Sequence, residues 1–97
     1  MTNNFKIVLN QQSADLYLRL KGDFDGNAAF ELMDIIKKHC RFATTAYLNT
    51  DGLKHIYPFG AAVWQSHIGE LNPCNHLHLQ FSGKHARELA IALGKRS

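Results

Sequence analysis

Asp23 and Asp25 stand two residues apart in Gly22-Asp23-Phe24-Asp25-Gly26-Asn27. Carboxylates that close can share a proton or hold a cation. A carboxylate just before a helix has a plainer use: its oxygen accepts from the first unpaired N–H groups. Asp25 and Asn27 both suit that capping role. His76 and His78 lie two apart in an alternating run and so share a strand face. No third ligand follows at metal spacing, so they read as a solvated face and no metal is expected. Ser82 and His85 flank a helix start, where capping by Ser82 accounts for the serine without a nucleophile–base pair. Cys40 and Cys74 belong to no CxxC or other ligand spacing. Cys40 completes an apolar helical stripe, and Cys74 follows Pro73 in a connection with no cation beside it to activate the thiol. Both read as reduced thiols. None of these groups converges on a catalytic constellation, so the chain is not expected to be an enzyme, and no catalytic residue or cofactor is assigned.

The remaining feature is a strand that runs straight into a helix, Leu53-Lys54-His55-Ile56-Tyr57-Pro58-Phe59-Gly60-Ala61-Ala62-Val63-Trp64. Pro58 suits the first helical position, where its missing N–H would be unpaired anyway. Ala61, Trp64, Ile68 and Leu71 then fall on one helical face. Such turns expose N–H groups and a positive helix end, and in α/β domains they often carry function. This one carries no nucleophile, acid or base. Its aromatic residues Tyr57, Phe59 and Trp64 suggest a docking patch instead; against that, Trp64 is favoured for the core by its shared face with Ala61 and Ile68, and Phe59 is left open between core and surface.

The elements that position these residues follow from periodicity. Phe5, Ile7 and Leu9 alternate with polar neighbours, as do Leu16, Leu18 and Leu20, predicting two strands joined by a polar turn at Gln11–Ala14. Gly22–Asn27 reads as a loop. Ala29, Leu32, Met33, Ile36 and Cys40 line one side of a helix whose end carries Lys37, Lys38 and His39, in keeping with its dipole. Ala43–Leu48 reads as a central strand broken by Asn49-Thr50-Asp51-Gly52. After the second helix, Asn72-Pro73 marks a connection. Leu77, Leu79 and Phe81 predict a fourth strand, and Ala86, Leu89, Ala90 and Leu93 the inward side of a last helix. The order β-β-α-β-α-β-α implies an α/β domain. It would have a four-stranded mixed sheet, an antiparallel first strand and helices mainly on one face.

Length and composition bound the rest. Ninety-seven residues make one domain, residues 1–97, with one modest core. Hydrophobic residues at 45% and charged residues at 20% are ordinary for a globular chain. The net charge of +3 is spread along the chain without a basic run, so nucleic acid is not expected as a partner. No apolar run spans a bilayer, and Met1-Thr2-Asn3-Asn4 lacks a signal-peptide profile. A cytoplasmic location without membrane insertion is therefore expected.

Three stretches resemble the STAS domain family, shared by sulfate transporters and bacterial anti-sigma factor antagonists. Gly22-Asp23-Phe24-Asp25-Gly26-Asn27-Ala28-Ala29 is similar to the family's Gly-x-Leu-Asp turn before its first helix. Asn49-Thr50-Asp51-Gly52-Leu53-Lys54-His55-Ile56 is similar to its Asp-Leu-Ser-Gly-Val-x-x-Ile segment. Tyr57-Pro58-Phe59-Gly60 falls where the family often has Asp-Ser-Ser-Gly or Asp-Ser-Thr-Gly. The resemblance covers nearly the whole chain and implies a STAS-like single domain. In the antagonists a serine at this turn is phosphorylated by the partner kinase, and the added charge switches binding. Pro58 and Phe59 have no hydroxyl, so no phosphorylation is expected at the usual turn.

The resemblance therefore implies a non-enzymatic regulatory or scaffold module that binds protein. Its partner would be an anti-sigma-type kinase or another signalling protein. The alternative is an accessory subunit that binds the ATPase of a lipid-trafficking transporter. Either way, the expected contact surface is Asp23, Asp25 and Asn27 together with Tyr57, Pro58, Phe59 and Gly60. The oligomeric state is left open.

Overall fold

A computed structural model of the chain describes residues 4–69, 74 and 76–90. The strands are β1 (Lys6–Gln12), β2 (Asp15–Phe24), β3 (Thr45–Ile56) and β4 (His78–Ser82). The helices are α1 (Gly26–His39), α2 (Pro58–His67) and α3 (Ala86–Ala90), with a short 3₁₀ turn at Cys40–Phe42 after α1. The strands form one sheet in the order β1-β2-β3-β4. β1 is antiparallel to β2, whereas β3 is parallel to both β2 and β4. The mixed sheet with an antiparallel first strand is thus as the pattern predicts.

Alternation decides which face is covered. Leu16, Leu18, Leu20 and Phe24 of β2 are buried with Ala46, Leu48 and Leu53 of β3. They meet Ala28, Ala29, Leu32, Met33 and Ile36 of α1, together with Val63, Trp64 and Leu89 from α2 and α3. The helices therefore share one face of the sheet, and the other face is open. Trp64 is fully buried, with its ring edge-on to Phe24 and Phe81, and its Nε1–H donates to the Leu89 carbonyl at 3.1 Å. That bond lets an indole sit in the core without a stranded donor.

Several expectations change. β1 and β2 are joined by Ser13 and Ala14 alone, because Gln11 and Gln12 extend the ladder to Gln12↔Asp15. Ser13 takes φ 54° to close that turn. Gly22–Phe24 belongs to β2 rather than to a loop. Asn49–Gly52 does not break β3. Two register shifts against β2 absorb the polar segment and let pairing continue to Ile56. On α2 the buried side is Gly60, Val63, Trp64 and Ile68, with Ala61 at its margin. Leu71, Asn72, Pro73 and Leu93 lie outside the described residues.

Ser82 does not cap α3, since it ends β4. The donors before that helix are met from β3. Thr50 Oγ1 accepts from His85 N–H at 3.1 Å, and Asp51 Oδ1 accepts from Lys84 N–H at 3.0 Å. The Thr50 hydroxyl also donates to the Ser82 carbonyl at 2.8 Å. The segment that looked like a strand break is therefore what holds the β4–α3 turn.

The cysteines are not reduced thiols. Cys40 and Cys74 form a disulfide with their Cα atoms 5.6 Å apart. Cys40 ends α1, and Cys74 is buried rather than exposed in its connection. Sequence spacing hides the pair because 34 positions separate them, whereas the return of α2 toward the end of α1 joins them. A cross-link over that separation stabilises the fold by about 4 kcal/mol in the loop-entropy account. The double variant Cys40→Ser, Cys74→Ser should therefore lose about that much in urea unfolding. Reductant should weaken the native chain toward the same midpoint and leave the variant unmoved. A reductant-insensitive native chain would contradict the bond.

Candidate functional site

β2 and β3 run parallel, so their C-terminal ends open at the same edge of the sheet. The Phe24–Asp25–Gly26 turn into α1 and the Ile56–Tyr57–Pro58 turn into α2 lie there side by side. The Tyr57 N–H donates to the Phe24 carbonyl at 3.0 Å, which fastens one turn to the other. Asp25 is the N-cap of α1: its Oδ1 accepts from Ala28 N–H at 2.9 Å. Asn27 makes no cap and is exposed. Pro58 opens α2 as expected, and Tyr57 is its N-cap without a side-chain bond.

The predicted contact residues are thus brought together, but they do different things. Phe59 is 71% exposed and Tyr57 46% exposed. The Phe59 ring covers Gly26, where a Cβ would come within 2.7 Å of its Cε2. Gly60 is buried and offers no surface. A Cβ on it would collide with the Phe24 carbonyl oxygen and stand 2.8 Å from the Asp25 Cα. The backbone that approaches Gly60 is therefore the chain's own. Asp23, paired in register with His55 on β3, keeps one enclosed carboxylate oxygen without a hydrogen-bond partner in the protein.

Two aromatic neighbours escaped the sequence reading. His55 lies beside Tyr57, with ring centroids 6.1 Å apart. Phe30 is 48% exposed, one helical turn beyond Gly26, and its ring meets His67 of α2 at 4.9 Å. The available signal for Phe30 was its place off the apolar stripe of α1. Phe30 of α1, Phe59 of α2 and Tyr57 just before it are all exposed aromatic side chains. Aromatic side chains at such positions are common anchors of protein interfaces.

His76 turns its Nε2 to the Cys40 carbonyl at 2.8 Å, while His78 is exposed on β4. No group of three or more metal-ligating side chains occurs among the described residues. No helix among them is long and apolar enough to cross a membrane.

No family model matches the chain, and no curated protein sequence does. Solved structures do match. The unphosphorylated anti-sigma factor antagonist SpoIIAA superposes with a TM-score of 0.63 at 17% identity, over 94% of this chain and 83% of that one. An anti-sigma factor antagonist from Mycobacterium paratuberculosis gives 0.61 at 11% identity, over 94% and 79%. Mglu gives 0.65 at 14% identity over 79% of this chain, which spans only about a fifth (19%) of Mglu's length. The chain therefore has a STAS-like fold.

The two glycines of the site should behave differently. Gly60→Ala drives a methyl into backbone and should cost about 1–3 kcal/mol in urea unfolding. Gly26→Ala meets a movable exposed ring on a helix that favours alanine, and should change stability by less than about 1 kcal/mol. Equal losses in the two variants would contradict the close approach at Gly60.

Proposed function

We propose that this domain is a non-enzymatic regulatory or scaffold module that docks a protein partner at the joined turns of β2–α1 and β3–α2. The observation that carries the reading is Phe59. A phenylalanine held 71% exposed at a helix start, braced on Gly26 and flanked by Tyr57, is a side chain for which folding alone has little use. Asn27, exposed next to Gly26, adds a polar group at its border. The fold is that of proteins described as anti-sigma factor antagonists, one of them SpoIIAA, which has been seen phosphorylated and unphosphorylated.

Control by phosphate would have to differ here. Pro58 and Phe59 have no oxygen to phosphorylate. Thr50 is fully buried with its hydroxyl engaged on both sides, so it is no substitute. Binding at the patch is constitutive, governed on the partner, or switched by modification elsewhere, with Ser66 an exposed hydroxyl on α2. The partner is an anti-sigma-type kinase or another signalling protein, and the transporter ATPase is the second candidate for the same surface. The disulfide bears on location. Such bonds persist in oxidising compartments and are reduced in the cytosol, so the cytoplasmic assignment stands or falls with the cysteine redox state in cells.

The test is affinity capture from the source cell, followed by calorimetry with the purified partner. Phe59→Ala, checked for folding by circular dichroism, should bind about 30-fold more weakly, as expected on losing an anchor worth about 2 kcal/mol. Undiminished affinity in both Phe59→Ala and Tyr57→Ala would place the interface elsewhere. Mass mapping after incubation with a kinase partner should find no phosphate on Tyr57–Gly60, and phosphotyrosine at Tyr57 would overturn that expectation.

A further inference from the structure

The sheet face away from the helices carries a combination that the linear sequence conceals. Lys6 and Lys21 are directly opposite one another across the β1–β2 ladder. Arg19, two positions from Lys21, lies on the same face beside Val8. Like charges placed directly across a ladder are unfavourable, and none of these three cations pairs with a carboxylate among the described residues. Next to them, Tyr17 and Tyr47 occupy paired positions on the two central strands. Their rings stack at 5.1 Å with 14° between planes, and each stays about 40% exposed (40% and 39%). Asn10, Asn49 and Arg19 edge the same shallow groove, whose volume is about 670 Å³.

From this juxtaposition we infer that the open sheet face binds single-stranded nucleic acid, bases on the tyrosine pile and phosphates on Lys6, Arg19 and Lys21. The two rings form the start of a stack that a planar base extends from either outer face. The three cations supply a phosphate-attracting field that their own repulsion makes costly without a ligand. Amide side chains at the groove edge offer donors and acceptors to base edges. A mononucleotide fits less well, because small-molecule sites enclose most of their ligand and this face is open. A double helix fits less well too, since its bases are already stacked inside. Scattered at positions 6, 19 and 21, the cations form no run in sequence; strand pairing gathers them.

Fluorescence anisotropy with a labelled, short, mixed-sequence single-stranded oligonucleotide tests the inference, starting at low salt. Saturable binding is expected, with log K falling against log salt at a slope of about −2 for three phosphate contacts. Tyr17→Ala and Tyr47→Ala should each weaken binding about tenfold. Tyr17→Leu keeps bulk on the strand but loses the π-face, and should weaken it similarly. Lys6→Gln and Lys21→Gln should each lower the slope by about 0.7, while Lys38→Gln, on α1 away from this face, should leave it unchanged. Circular dichroism confirms that each variant folds. Absence of saturable binding at low salt would overturn the inference. So would equal affinity for a duplex of the same sequence, a mononucleotide competing as tightly as the oligonucleotide, or binding indifferent to the tyrosine substitutions. A dimer that forms through this face and dissociates in Tyr17→Ala would assign the surface to a second copy and overturn it too.

Discussion

The close approach of Gly60 to the backbone of Phe24 and Asp25 is the constraint on which this edge of the sheet depends. Two strand-to-helix turns from distant parts of the chain meet there without a side chain between them. The Tyr57 N–H bond to the Phe24 carbonyl fixes their relative height. Once they are fixed, Asp25 is committed to capping α1 and Trp64 drops into the core one turn along α2. Phe59, on the opposite side of the same turn, stays largely exposed with its ring against Gly26. Exposure of Phe59 and burial of Trp64 both follow from this one contact.

The core extends this logic to the C-terminal part. Trp64 touches β2 through Phe24 and β4 through Phe81, and its indole N–H reaches α3 at Leu89. Thr50 and Asp51 of β3 hold the β4–α3 turn by three hydrogen bonds. The start of α3 is thus tied down by residues more than thirty positions earlier. The open sheet face takes no part in this network, which leaves its residue types free of packing demands.

The sequence was most readable where period alone decides structure. Alternation placed β1, most of β2 and β4, a run of apolar residues and threonine placed the first part of β3, the apolar stripe placed α1, and Pro58 placed the start of α2. The STAS-like motifs anticipated which turns would sit together. The failures share a cause: each depended on a partner far along the chain. Asn49–Gly52 looked like a break because polar residues usually end strands, yet Thr50 is buried by a turn that closes on it from Gly83 onward. Ser82 looked like a cap because capping is normally local. Cys40 and Cys74 looked unpaired because nothing in their spacing shows that α2 folds back. Gly60 was placed on the contact surface, yet it is buried against the chain's own backbone. Phe30 was visible as an aromatic off the stripe and simply had no partner to give it meaning until α2 supplied His67.

The disulfide also divides the chain mechanically. Force applied at the two ends passes from α1 through the sulfur bridge to the connection before β4, bypassing everything between. β3 and α2, which carry the Tyr57–Gly60 turn, form a closed loop off the line of tension. With the two cysteines 34 positions apart, about 115 Å of extended chain is withheld from stretching. Under load the β1–β2 hairpin and α3 are free to peel away at full length, while the middle of the domain is pulled from a single point. Breaking the bridge would put that segment in series with the rest, so the redox state of one bond sets how far this domain can be drawn out.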